Sequence, residues 1–397
     1  MHSILQSLAA SAGIDAIGIT PLLHADLTPD FPELNHLEPW VAQGHAGDMD
    51  YLKRRTPSGR LQRERIQSSL PWARSVIVCA LNYNGPQPLS TDPAPLDTGW
   101  IARYAQSGSS QSDTSYADQH TDINSATDYH QVLHTKLRLI ESALRDQFPH
   151  IEARSYVDTG PLVERVYAQH AGIGWVGKNT CLIRQGLGSW FFLGVIITSL
   201  DLGSDALRNQ ADQRLSTAQI AAPDRCGSCT RCIDACPTAA IVAPHQLDAS
   251  HCIAYLTIEK RGPIPEEFRS AIGRNLFGCD ICQDVCPWNR KAPISTDAQM
   301  QPRPQLVSPA LDWLASLSHA DFRRLFRGSP VERKRYKGMA YKAMRRNLAI
   351  AMGNSGQTKF LPQLNLWTES PDPALAESAR WALQKINTSD SVTSQHG

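Results

Sequence analysis

"CGSCTRCIDACP" at residues 226–237 and "GCDICQDVCP" at 278–287 decide how the middle of this chain folds. The first stretch spaces its cysteines as C-x2-C-x2-C-x3-C-P: Cys226, Cys229, Cys232 and Cys236-Pro237. Two-residue gaps let a short loop wrap three thiolates round one 4Fe-4S cube, while the fourth, turned away by the proline, reaches a second cube. The second stretch offers Cys279, Cys282 and Cys286-Pro287, with Leu276 where a further cysteine would stand, and Cys252 is the unassigned thiol between the runs. The spacing therefore assigns Cys226, Cys229, Cys232 and Cys286 to one cluster and Cys236, Cys252, Cys279 and Cys282 to the other. Structural zinc is the alternative, since C-x2-C pairs also hold zinc, but zinc uses four-ligand sets and has little use for this run twice.

The run of cysteines is the two-cluster arrangement of bacterial ferredoxins. The rest of the chain, 397 residues in all, has length for two or three domains. No Lys or Arg occurs before Lys53, whereas seven acids lie within residues 1–50. Such a start lacks the basic region of a secretory signal or transit peptide, and no apolar run approaches the ~20 residues that span a bilayer. The expectation is a cytoplasmic protein whose ten cysteines are reduced and available to metal. Cys79, within a strand pattern, is expected to be a small core residue; Cys181, after a glycine-rich turn, is read as core packing from its context alone.

Apolar periodicity predicts a helix over Leu5–Ala12, strands over Ala16–Thr20, Ser75–Tyr83 and Trp190–Leu200, and a helix over His130–Asp146. The fold class expected is α+β: a mixed α/β domain over 1–205, a ferredoxin-like two-cluster domain over 206–291, and an all-helical end over 305–387 resembling a short HEAT-type pair. Residues 106–127, rich in Ser, Asp, Gln and Thr, read as a mobile insertion, and 388–397 as a disordered tail.

Two side-by-side clusters pass electrons onward, yet no G-x-G-x-x-G fingerprint is placed between a strand and a helix, and no D-x-H-x-x-G corrinoid motif is present. The balanced overall charge of +1 hides a concentrated one: Arg323 to Arg346 carries +9, with Tyr336 and Tyr341 inside it, and residues 53–65 carry +5. Solvated helix faces can carry such runs, but their concentration in a neutral chain favours phosphate binding, hence nucleic acid.

"YVDTGPLVERVYAQHAGIGWVGKNTCLI" (156–183), "IARYA" (101–105), "DYH" (128–130), "GSWFFLG" (188–194) and "GCDICQDVCPWN" (278–289) together closely resemble the epoxyqueuosine reductase family, over nearly the whole chain. The resemblance implies base-off cobalamin in the N-terminal domain, two 4Fe-4S clusters that reduce it, and a tRNA bearing epoxyqueuosine at the wobble position. By motif match it makes Asp158 the catalytic acid. It puts Lys178, Asn179, Cys181, Gly188, Ser189 and Tyr104 at the corrinoid; the tRNA contacts expected are Arg103 together with Arg333, Lys334, Arg335, Lys337, Arg345 and Arg346 of the basic run. Two departures stand out: the insertion separates "IARYA" from "DYH", and Val195 stands where the family pattern calls for Glu.

The implied chemistry is removal of the epoxide oxygen by cob(I)alamin, consuming two electrons and two protons and releasing water. Asp158 must then stay protonated near neutral pH, which calls for burial; without the resemblance, "DTGP" ahead of a helix reads as a cap or turn. An external low-potential donor supplies the electrons, and a monomer is expected. The alternatives are a reductive dehalogenase of small organohalides, usually exported behind a twin-Arg signal, and a ferredoxin-type electron-transfer adapter with neither corrinoid nor tRNA.

Overall fold

The apolar run in the Ser75–Asn82 strand lacks polar alternation because both of its faces are covered. The computed structural model describes residues 2–22, 30–107, 128–202, 222–332 and 339–393. Four strands, β1 (Ala16–Pro21), β2 (Ser75–Asn82), β3 (Ala153–Tyr156) and β4 (Phe191–Thr198), form one antiparallel sheet in the order β1-β2-β4-β3. Ile77, Cys79 and Leu81 point to a core shared with Leu5 and Ala9 of helix α1 (His2–Ser11) and Leu133, Leu137 and Ile140 of helix α2 (Tyr129–Gln147). Val76, Val78 and Ala80 point the other way, against Leu162, Tyr167 and Ala168. The short helix α3 (Glu164–His170) supplies the last two.

Three details follow from this packing. Burial pushes the Cys79 thiol up to about 12, so it is the inert core residue expected. A Cβ on Gly194 would stand 2.8 Å from Leu137, so helix α2 lies directly on β4. Val195 is fully buried between Val78 and Tyr156 in the register, where an apolar residue suits the site. Strand β3, "ARSY", was not expected: it is short, polar and at the sheet edge.

The cysteine-rich segment contains two short helices, α4 (Arg231–Asp234) and α5 (Ile281–Asp284), packed on each other, one per cysteine run. It is tied to the N-terminal region by parallel pairing of Asn275–Phe277 with Trp100–Ile101. Ile101 and Ala105 share a core with Leu276, Phe277 and the C-terminal helices, so the three regions interlock rather than follow one another as beads. In the helical end, Met339–Ser355 crosses Pro373–Thr393 at small residues: a Cβ on Gly353 would lie 2.8 Å from Ala382. Of the apolar face Leu375, Ala379, Ala382, Leu383 and Ile386, all are buried except Leu383, which is partly so. The last helix runs to Thr393, past residue 388 where the sequence reading ends order. The insertion, apart from Gln106 and Ser107, lies outside the described residues. Among the described residues no helix is long and apolar enough to cross a membrane.

Candidate functional site

The two cysteine sets lie in two different places. Cys226, Cys229, Cys232 and Cys286 line a pocket of about 40 Å³ beside Trp288. Cys236, Cys252, Cys279 and Cys282 line the wall of a far larger cavity, about 3050 Å³. Among the described residues no three His, Cys, Asp or Glu side chains are gathered as one metal ion requires; a cube instead spreads its thiolates over several irons.

Cys181 is a fifth thiol at the second set. Interaction with Cys282 holds its thiol down to about 7, and Asn179 braces the pair, accepting from the Cys181 N–H at 3.2 Å and donating to the Cys282 carbonyl at 3.3 Å. Cys181 is thus a cluster neighbour as much as a cavity residue, which the core-packing reading missed.

Across the cavity stands Asp158. It has φ +59°, in the left-handed region that few residues other than Gly, Asn and Asp adopt. It does not cap the next helix: the residue ahead of α3 is Val163, with no side-chain cap. Its carboxylate instead accepts from the Tyr129 hydroxyl and lies 3.2 Å from His130 Nε2. On the other side, His130 Nδ1 is 2.7 Å from Asp128, the residue that also caps helix α2 by accepting from the His130 N–H. Burial disfavours the imidazolium, but the bonds to Asp128 and then Asp158 prevail and raise His130 to about 9. His130 is therefore protonated at neutral pH, while Asp158, at 48% side-chain exposure, falls short of the burial expected of it. Nearby, Glu164 has a buried Oε1 without a partner, and burial, reinforced by the charge of Asp158, pushes it up to about 7.

Of the residues expected at the corrinoid, Tyr104, Asn179, Cys181 and Ser189 line the large cavity. Ser189 is held by Gln283 and Asn289, its hydroxyl 2.9 Å from Gln283 Oε1. Lys178 is corrected: its ammonium donates to the carbonyls of Gly227 at 2.6 Å and Cys229 at 3.0 Å, so it clamps the loop of the first cysteine set. Gly188 is corrected too; at φ +73° it packs on Asn289, where a Cβ would lie 2.3 Å from Oδ1, and it does not line the cavity.

The expected tRNA arginines fare differently. Arg103 is buried, donating to the carbonyls of Gly85, Gln87 and Pro88 and lying over the Trp190 ring, so it braces a loop. Arg346 is equally buried, donating to Lys260, Gly262 and Leu256 carbonyls at 2.7 to 2.9 Å, and burial lowers it to about 10. Arg345 lies between Tyr341 and Trp367, 5.5 and 5.1 Å from their ring centres. Arg333, Lys334, Arg335 and Lys337 lie outside the described residues. The basic side chains that do line the cavity include Arg54, Arg63, Arg165, Arg323, Arg324 and Arg327. Of these, all but Arg165 belong to the two basic runs; Arg154 and Arg303 also line the cavity and, like Arg165, carried no charge-run signal.

A cavity of this size exceeds the ~300–1,000 Å³ of an ordinary ligand pocket, leaving room for a large cofactor together with a nucleoside. Its walls combine aromatic rings (Tyr83, Phe191, Phe192) with polar groups and abut the second cysteine set. Its residues fit a corrinoid.

Comparison with known proteins places this architecture. A family model described as "Epoxyqueuosine reductase QueG, DUF1730" matches residues 63–159, and a "4Fe-4S double cluster binding domain" model matches 225–289. Epoxyqueuosine reductase of Xanthomonas campestris is 34% identical over 386 residues, covering 96% of this chain and 94% of its own. That of Synechocystis sp. is 39% identical over 322 residues, covering 80% and 95%. Among solved structures, an epoxyqueuosine reductase with an epoxyqueuosine-modified tRNA-Tyr stem loop superposes with TM-score 0.77 at 30% identity, covering 97% of this chain and 90% of that one. A Bacillus subtilis epoxyqueuosine reductase with an aspartate-bearing catalytic loop swung out of its active site superposes with TM-score 0.75, also at 30% identity, covering 97% and 91%. The chain carries a double 4Fe-4S cluster domain and belongs to the epoxyqueuosine reductase family of oxidoreductases.

Proposed function

We propose that this chain reduces epoxyqueuosine to queuosine at the wobble position of tRNA, with Asp158 as the final proton donor. The observation that carries the reading is the shared cavity: Asp158, Tyr129 and His130 face the space that Cys236, Cys252, Cys279 and Cys282 border. Cys226, Cys229, Cys232 and Cys286 would hold one 4Fe-4S cluster and Cys236, Cys252, Cys279 and Cys282 the other, and a cobalamin bound in the cavity beside them would supply the two electrons that epoxide removal consumes. Asn179, Ser189 and Tyr104 hold the cofactor's side of the cavity.

The protein's own task is the proton. Deoxygenation releases water, so two protons must reach the oxygen. His130 holds one near Asp158 at neutral pH, on a ring fixed from both sides by carboxylates. When cofactor and nucleoside fill the cavity, water leaves and the Asp158 carboxyl becomes easier to protonate. It then takes the His130 proton and passes it to the departing oxygen, and the second proton that completes the water comes from solvent. Tyr129 keeps the carboxylate aimed.

The arginines along the cavity, from both basic runs, suit the phosphates of an anticodon stem loop. Residues 1–205, 206–291 and 305–387 serve as cobalamin-binding, two-cluster and HEAT-like helical units of a cytoplasmic monomer. The test is Asp158→Asn with epoxyqueuosine-containing tRNA: product is lost while cobalamin and both clusters are retained. Retained turnover would remove Asp158 from the mechanism.

A further inference from the structure

The two cysteine sets differ in what they face. Cys236, Cys252, Cys279 and Cys282 border the large cavity, whereas Cys226, Cys229, Cys232 and Cys286 line the separate small pocket and none of them borders the cavity. On the two-cluster reading proposed above, on which this inference rests, electrons must reach the outer cluster first.

The chain round that outer pocket is at the surface. Asp224, Arg225, Gly227, Ser228, Thr230 and Arg231 are all exposed. Arg231 lines the pocket itself, and Arg290 and Lys291, also exposed, follow directly on Trp288 and Asn289 beside it. The two acids of this face are engaged locally. Asp224 accepts from the Cys226 N–H at 2.8 Å and lies 3.3 Å from His245, and Asp234 accepts from the Thr230 hydroxyl at 2.7 Å.

We propose that this basic face is the docking site of a small acidic electron-carrier protein bearing a one-electron group, a flavin or an iron-sulfur cluster. A carrier must bring its redox group close to the outer cluster, and this is the exposed face that lies over it. Complementary charge steers and orients such an encounter, and a small, polar interface suits a partner that must leave after each transfer. RNA carries no electrons, and the arginines facing the cavity already offer phosphate contacts. Each encounter moves one electron: the carrier leaves oxidised by one, the outer cluster is reduced by one, and no proton crosses this face. Two encounters supply the two electrons that epoxide removal consumes.

The test compares wild type with Arg225→Glu/Arg290→Glu/Lys291→Glu, both loaded with clusters. Anaerobic stopped-flow follows cluster bleaching by reduced acidic flavodoxin and, separately, by dithionite; tRNA affinity is measured alongside. The expected result is at least a tenfold slower reduction by flavodoxin in the variant and a wild-type rate that falls with salt, with dithionite reduction and tRNA affinity unchanged. Wild-type rates with flavodoxin, or a rate indifferent to salt, would overturn the docking site. Loss of tRNA affinity would make this face an RNA surface instead. Failure of dithionite to bleach the loaded wild type would mark failure of the two-cluster reading itself, distinct from an error about where the carrier docks.

Discussion

Asp158→Asn should lower the pKa of His130 by about one pH unit, because it deletes one of the two carboxylates that hold the imidazolium. The change is clean at the backbone: Asn tolerates the left-handed φ of +59° at this position, whereas most side chains would strain it. His130 is raised from 6.5 to about 9, which at about 1.4 kcal/mol per pH unit corresponds to about 3 kcal/mol of folded-state stabilisation. Since the folded-state value is the higher one, that stabilisation is complete below pH 6.5 and is lost as the pH rises through about 9. Asp128 provides the larger share and remains, so the variant keeps a raised but lesser value. The assay is an NMR titration of the His130 ring proton in both proteins, assigned with His130→Gln, beside thermal unfolding across the same pH range. An unchanged or higher His130 pKa in the variant would show that Asp158 does not share its proton, and the proposed relay would fall with it.

Cys252→Ala should halve the iron content of reconstituted protein, measured by elemental analysis; full iron would place the fourth ligand elsewhere, with Cys181 the nearest substitute. Cys181→Ala should keep all the iron but lower the potential of one cluster by about 40 mV, the equivalent of one hydrogen bond of about 1 kcal/mol to a thiolate. An EPR-monitored redox titration reads this, and unchanged potentials would refute the contact. Arg346→Ala should cost about 2–3 kcal/mol in chemical unfolding, because it removes hydrogen bonds to three carbonyls, the one to Leu256 buried and those to Lys260 and Gly262 partly buried, while the folded fraction binds tRNA as before. A variant of normal stability with weakened tRNA binding would restore the surface role that its sequence context suggests.

What the sequence revealed was whatever is written in spacing. The cysteine intervals placed eight thiols around two spaces, and the apolar runs placed the central strands and helix α2 within a residue or two. Burial of charge was not legible. Arg346 sits in a basic run and Arg103 in a quoted motif, yet both fold inward because loop carbonyls await them, and nothing in the linear charge pattern records a carbonyl's position. His130 was within a quoted motif but escaped notice as a functional group. Its role depends on Asp158, 28 residues away in sequence and brought near only because α2 and β3 pack on the same strand. Strand β3 itself, four residues at a sheet edge, has too little apolar pattern to announce itself.

The central claim is most directly tested by a single anaerobic reaction. Purified protein, reconstituted with iron and sulfide, is given a strong reductant and epoxyqueuosine-containing tRNA with and without cobalamin, and the digested tRNA is analysed by mass spectrometry. Queuosine formed only when cobalamin is present is the predicted result. An epoxide that survives while clusters and cobalamin are loaded and reducible would contradict the assignment of this substrate to the cavity and turn attention to small organohalides.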